Sequence, residues 1–204
     1  MINSQVTMVA TINRNAVMKQ SRDGKSFISF GVEFPLSDYH GNTKKFDISV
    51  SADLDDSLRN QLVSGRKVEI HGTMYFKKKA DIMYMNLRSE QKIIFCGQEV
   101  QEQVSGTLHF NGKIGKKGLE DHQDKRGKSY QSFSAWTGER DKEDTKQYNF
   151  IWVQFRDFQH HDLSCVQSNG SVEVEGDLQL SLFKDSLYIG SRVNKISPYV
   201  WQNR

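Results

Sequence analysis

The chain has 204 residues, 36% of them hydrophobic and 26% charged, with a formal net charge of +3 and a mean hydropathy of -0.66. This composition fits a soluble globular protein, and no apolar run approaches the roughly 18 residues of a membrane span. The N-terminal stretch lacks the basic, apolar, cleavage-site succession of a secretory signal. Cys96 and Cys165 lack CxxC spacing, so they read as reduced, buried thiols of a cytoplasmic protein.

In chain order, Val6 to Ile12 forms a β-prone run, and Asp23-Gly24 supplies hairpin-turn chemistry. Ile28, Phe30, Val32 and Phe34 then alternate with Phe27, Ser29, Gly31 and Glu33, the period of a half-buried strand. Phe46 to Val50 gives a third strand. Asp53 is placed to cap a short helix through Leu54, Leu58 and Leu62, ended by Gly65. A fourth strand buries Val68, Ile70, Met74 and Phe76. Lys77, Lys78 and Lys79 mark the next hairpin tip, and Met83, Met85 and Leu87 form the inner face of a fifth strand. The order β-β-β-α-β-β is that of an oligonucleotide/oligosaccharide-binding (OB) barrel, an all-β fold with its helix between strands three and four.

The pattern then repeats. Val68, Gly72, Tyr84, Arg88, Lys92 and Ile93 return as Val172, Gly176, Tyr188, Arg192, Lys195 and Ile196. GKSFISFGVEF from Gly24 is echoed by GKSYQSFSAWT from Gly127, and FDISVSAD from Phe46 by FIWVQFRD from Phe150. Three matched segments in one order define a module written twice. In the second copy Val172, Val174, Leu178, Leu180 and Leu182 alternate as the inward face of its fourth strand. The expected organisation is two tandem five-stranded barrels, residues 1–97 and 98–204, each with a short helix between its third and fourth strands. The copies differ in character. Residues 1–98 hold 14 Lys/Arg against 10 Asp/Glu, residues 99–204 hold 14 against 15, and Trp136, Trp152 and Trp201 all lie in the second copy.

The runs MVATINRNAVMKQSRDGKSFISFGVEF and FDISVSADLDDSLRNQLVSGRKVEIHGTMY, with the later FIWVQFRD and NGSVEVEGDLQL, resemble bacterial single-stranded DNA-binding proteins. A Gly-led valine rhythm at Gly65 to Gly72 recurs at Gly170 to Gly176, one residue shorter. The resemblance covers most of both copies. It implies single-stranded DNA as partner, a role in replication, recombination or repair, and a homodimer presenting four OB folds. Relatives usually end in an acidic tail that recruits other enzymes. This chain ends PYVWQNR, which departs from that pattern.

An OB surface binds single strands by stacking bases on rings, with basic groups along the phosphates. Rings pointing off the core face are therefore the candidates. Alternation selects Phe27, Tyr75 and Tyr84 in the first copy, and Tyr130, Trp136 and Phe183 in the second. Both parities of the run from Phe150 are apolar. A one-residue shift against the run from Phe46 would add Phe150 and Trp152. Basic candidates are Lys77, Lys78 and Lys79 on the hairpin, Lys116, Lys117, Arg126 and Lys128 in the long second-copy loop, and Arg88 and Arg192, repeated on strand five. Plugs for the barrel ends, solvated loops and structural salt bridges are the competing uses of the same residues.

Enzyme readings fail on spacing. The GKS runs at Gly24 and Gly127 have Lys19 and His122 where a Walker loop needs Gly. His160-His161 has no second ligand cluster and reads as surface imidazoles, and no cofactor or metal is implied. The residues point to a non-catalytic binder of single-stranded DNA, without membrane association. A tandem-OB scaffold of a replisome, primosome or mobile-element complex is the alternative, and an RNA-binding protein is a third.

Overall fold

The computed structural model describes residues 1–79, 82–140 and 148–200, with Glu139 and Arg140 described by backbone alone. Trp201 and most of the charged loop before the second copy's third strand lie outside the described residues. The chain forms two compact units. The first-barrel unit comprises Gln5–Phe76 and Tyr84–Gly106; the second-barrel unit comprises Thr107–Arg204 together with Met1–Ser4 and Lys77–Met83. The lysine-bearing hairpin thus belongs to the second-barrel unit, although its sequence belongs to the first copy.

In the first copy the strands are β1 (Ile2–Gln20), β2 (Ser26–Ser37), β3 (Thr43–Asp53), β4 (Lys67–Lys79), β5 (Ile82–Ser89) and the short β6 (Ile94–Cys96). Strands neighbour in the order β1-β2-β3-β5-β4, and a β4–β1 pairing closes the ring. β3 and β5 run parallel, with Val50 opposite Leu87. This strand order and closure make it an OB barrel. Met8, Ile12, Ile28, Phe30, Val32, Ile48, Val50, Ile70, Met74 and Leu87 fill it. The alternation read from β2 and β4 arises because each strand keeps one face in this core.

β1 runs eight residues past Ile12. Met18 opposite Ile28 and Gln20 opposite Ser26 extend the hairpin through an exposed stretch without alternation. Backbone pairing to β2, closed by the Ser21–Lys25 turn with Gly24 at a φ of 81°, holds it there. The helix α1 (Asp56–Gln61) is capped by Asp55, whose carboxylate accepts from the Leu58 N–H at 3.0 Å. Asp53, expected as the cap, instead ends β3 opposite Phe27 and pairs with Arg88 at 2.5 Å. Leu62, just beyond the helix, is fully buried, and Leu54 is exposed.

The second copy repeats the barrel with β7 (Gln103–Ile114), β8 (Glu120–Gln123), β9 (Ser129–Arg140), β10 (Tyr148–Asp157), β11 (Ser171–Phe183) and β12 (Ser186–Pro198). Its order is β7-β11-β12-β10-β9, closed by β7–β9, with β8 added outside β9. Phe133 and Phe155 stack at 5.1 Å, and Phe110 meets Phe155 edge-on at 5.2 Å, in a core shared with Leu108, Val153, Val172 and Ile189. Leu180, expected inward, is only half-buried near the end of β11. Cys96 and Cys165, expected to be buried, are both only half-buried.

Between β10 and β11 the helix expected in this copy is absent, and residues 158–170 form turns. The reason is local. Asp157 is fully buried and accepts from the N–H groups of Gln159 (2.9 Å) and His161 (2.7 Å) and from the His161 ring (2.9 Å). His160 and Asn169 take positive φ, which a helix does not allow. Leu163 and Val166 are buried from this segment without a helix to carry them. His161, read as a surface imidazole, is therefore a structural partner of Asp157, with a quarter of its side chain exposed.

The repeated Gly72 and Gly176 have one cause. A Cβ at either would collide with the backbone oxygen of Arg88 or of Arg192, so close strand approach demands glycine at both sites. Among the described residues no helix is long and apolar enough to cross a membrane. No group of three or more His, Cys, Asp or Glu is gathered for a metal among them.

Candidate nucleic-acid interface

β9 and β10 pair in antiparallel register with Ser134 opposite Gln154, Trp136 opposite Trp152, and Gly138 opposite Phe150. The intervening Ala135, Ile151, Val153 and Phe155 are buried. All the residues of the first set therefore project from the outer face. This is the one-residue offset that makes both parities of β10 apolar: one parity builds the core and the other builds a surface of rings. Trp152 is 53% exposed and Phe150 41%. Exposed rings of that size are costly in water unless a ligand or partner covers them.

The rings stand close together. Trp136 meets Phe150 edge-on at 5.0 Å and Trp152 at 6.5 Å, and Tyr148 lies nearly parallel to Phe150 at 6.2 Å. Phe150 lies over Gly138, where a Cβ would come within 2.9 Å of its ring. Trp152 rests against Gly115, 3.1 Å from a Cβ position there. The loop Gly115–Gly118 closes on itself and on β9: Gly118 N–H donates to the Gly115 carbonyl and Gly115 N–H to that of Ser134. Lys116 and Lys117 on this loop line a cavity of about 490 Å³ with Trp136, Trp152, Ser134 and Asn169. Lys117 is 84% exposed and reaches Glu120 at 3.6 Å. Ring faces thus stand beside cationic side chains.

A second recess of about 250 Å³ lies in the same unit and shares Ser134 and Trp152 with the first. Lys78 and Met83 from the hairpin line it with Phe150, Trp152, Gln154 and Tyr188. The Ser134 hydroxyl donates to Gln154 Oε1 at 2.6 Å. Burial pushes the Tyr188 phenol above its ordinary value, with Arg156 opposing, so the hydroxyl stays protonated.

The other sequence-selected residues are placed as follows. Phe183 is 53% exposed at the β11 end, with the Lys184 ammonium 5.4 Å from its ring centre. Tyr130 is sandwiched between His122 (5.1 Å) and Phe158 (4.7 Å), so both its faces are occupied. Arg192 sits 5.3 Å and Lys128 5.6 Å from the centre of Phe158, which ties both to that stack. Arg126 lies in an exposed turn where Asp124 accepts from the Arg126 and Lys128 N–H groups. In the first-barrel unit Tyr75 and Tyr84 are exposed, Phe27 is half-buried, and Arg88 is held by Asp53. That ion pair keeps the Asp53 carboxyl below its usual value. Lys77 and Lys79 are exposed at the end of β4.

Gln154, Ser134, Tyr148, Tyr188, Met83 and Asn169 enter the site without having been selected from sequence. For Tyr188 a signal existed, since it is the repeat partner of Tyr84. For the polar residues only the strand register reveals the position.

No family model and no curated protein matches the sequence. Solved structures do. The single-stranded DNA binding protein from Thermus aquaticus is 12% identical, with 98% of this chain and 95% of that one covered at a TM-score of 0.48. A Plasmodium falciparum SSB in complex with ssDNA is 14% identical over 46% of this chain and 95% of its own, at 0.35. PriB from Ralstonia solanacearum is 12% identical over 45% and 98%, at 0.32. The first of these alignments spans both barrels, and the others about half of the chain.

Proposed function

We propose that this protein binds single-stranded DNA and coats it during replication, recombination or repair, without chemistry of its own. The observation behind this reading is the Trp136–Trp152 cross-strand pair, Trp136 half-buried and Trp152 exposed, beside Phe150 and bordered by Lys116 and Lys117. Stacking on rings contributes about 1–3 kcal/mol per base and tolerates any sequence, because every base has a face. The lysines supply the salt-sensitive phosphate attraction. A duplex hides its base faces and could use only the cations. A cytoplasmic homodimer with four barrels, as the resemblance implies, belongs to the same reading.

Fluorescein-labelled dT and rU 30-mers and a 30-bp duplex, titrated at low and moderate salt, test it. Tight, salt-sensitive dT binding with weak duplex binding is expected. Equal affinity for rU would extend the reading to RNA, and no binding to any of the three would sink it. In that event a protein-docking scaffold is the reading left. The first barrel has features that suit one: on the strand pair corresponding to the ring face it carries Glu33 opposite Asp47.

A further inference from the structure

The 250 Å³ recess beside Trp152 differs from a plain stacking surface because polar groups converge in it. It falls a little below the 300–1,000 Å³ of pockets that hold drug-sized ligands, the scale of a single flat ring system. Phe150 and Trp152 supply apolar walls, and Met83 adds a polarizable one. The polar groups share one character. Lys78 offers only donors. Gln154 Oε1 already accepts from Ser134, so the amide is oriented with its NH₂ left to donate. The Tyr188 hydroxyl carries a hydrogen to donate and can also accept. A base edge with carbonyl oxygens finds donors here. An amino group in place of such an oxygen, as in adenine, meets donors from Lys78 and Gln154 and can pair only with the Tyr188 hydroxyl, so these half-buried groups favour the carbonyl.

We infer that Lys78, Gln154 and Tyr188 form a base-reading pocket, in which the second barrel prefers bases with a carbonyl edge (thymine, guanine, hypoxanthine) over adenine. The inference rests on the reading of the protein as a single-strand binder and gives it a selectivity that stacking alone lacks. It also makes the hairpin residues Lys78 and Met83, encoded in the first repeat, part of the second barrel's site.

Hypoxanthine and adenine are near-isosteric purines that differ at this edge, so dI and dA 12-mers separate edge reading from stacking area. The full chain, its Lys78→Ala and Gln154→Leu variants, and a dT 12-mer as reference complete the experiment. Wild type should bind dI12 about tenfold more tightly than dA12. Each variant should reduce that ratio to about threefold or less by weakening dI12 and dT12, with dA12 affinity nearly unchanged. Equal affinity of wild type for dI12 and dA12 would overturn the pocket. So would a Lys78→Ala variant that weakens both equally, since Lys78 would then be a phosphate contact. No binding of wild type to dT12 would instead overturn the single-strand reading, and the pocket with it.

Discussion

The two barrels share strand order, core and a pair of repeated glycines, yet the same outer face differs in chemistry. In the second barrel β9 and β10 place Trp136 opposite Trp152 and Gly138 opposite Phe150. In the first, β2 and β3 place Glu33 opposite Asp47 and Pro35 opposite Lys45. Glu33 is paired with Lys45, and Asp47 accepts from the Asn13 amide. Arg14 lies across Gly31, and Glu102 accepts from Thr11 at 2.5 Å. One face carries a cluster of rings, whereas the other carries a network of paired charges in the corresponding place. A module written twice therefore need not bind twice: the barrel is kept by its inward residues, and the outward ones are free to diverge.

The largest expected effect follows from the rings. Trp152→Ala should weaken dT binding by about 1–3 kcal/mol, and Trp136→Ala by a similar amount, with folding intact by circular dichroism. Unchanged affinity would erase the contrast between the barrels.

Next comes a stability difference. In the second barrel a buried carboxylate replaces the first barrel's helix as the organiser of the connection between the third and fourth barrel strands. Burial opposes ionisation of Asp157, but the N–H groups of Gln159 and His161 and the His161 ring outweigh it and hold the carboxyl below its ordinary value. A lowered value means the carboxylate stabilises the fold fully above the unfolded carboxyl's range, near pH 4. That contribution is lost as pH falls through the folded value. Asp157→Asn should cost about 1.5–3 kcal/mol at neutral pH by denaturant titration, the scale of hydrogen bonds to a charged group. Below pH 4 the gap to wild type should narrow; a gap independent of pH would contradict the assignment.

How much of this was legible in the sequence differs by element. Inward alternation of β2, β4 and β11 announced the barrels because a single face of each is buried. The outward Trp152 was reachable only through the offset between FDISVSAD and FIWVQFRD, which the register of Trp136 against Trp152 now fixes. The missing second helix had no local signal beyond the absence of the Leu spacing, since a buried aspartate organising turns depends on tertiary contact. Nothing in Lys77 to Lys79 indicated that the hairpin would join the second-barrel unit, because sequence proximity favours the barrel that encodes it. Gln154 is a polar residue in an apolar strand, and its purpose shows only with Ser134 opposite it.

A smaller effect is expected from the loop cations. Lys116→Ala with Lys117→Ala should lower the slope of log affinity against log salt by about 1.4, at about 0.7 for each single-strand phosphate no longer neutralised. An unchanged slope would assign the loop to shaping the cavity alone. Smallest of all, Glu33→Gln with Asp47→Asn in the first barrel should shift dT affinity by less than about twofold, because neutralising two carboxylates adds no ring on which a base can stack. A tenfold gain would show that this face approaches the strand after all.

The most direct test compares wild type, Trp152→Ala and the Glu33→Gln/Asp47→Asn variant side by side, by anisotropy of a fluorescein-labelled dT 30-mer at moderate salt. The account predicts at least about fivefold weaker binding for Trp152→Ala, as stacking energies require, and near-wild-type binding for the first-barrel variant. Weakening confined to the first-barrel variant, with Trp152→Ala indistinguishable from wild type, would contradict it.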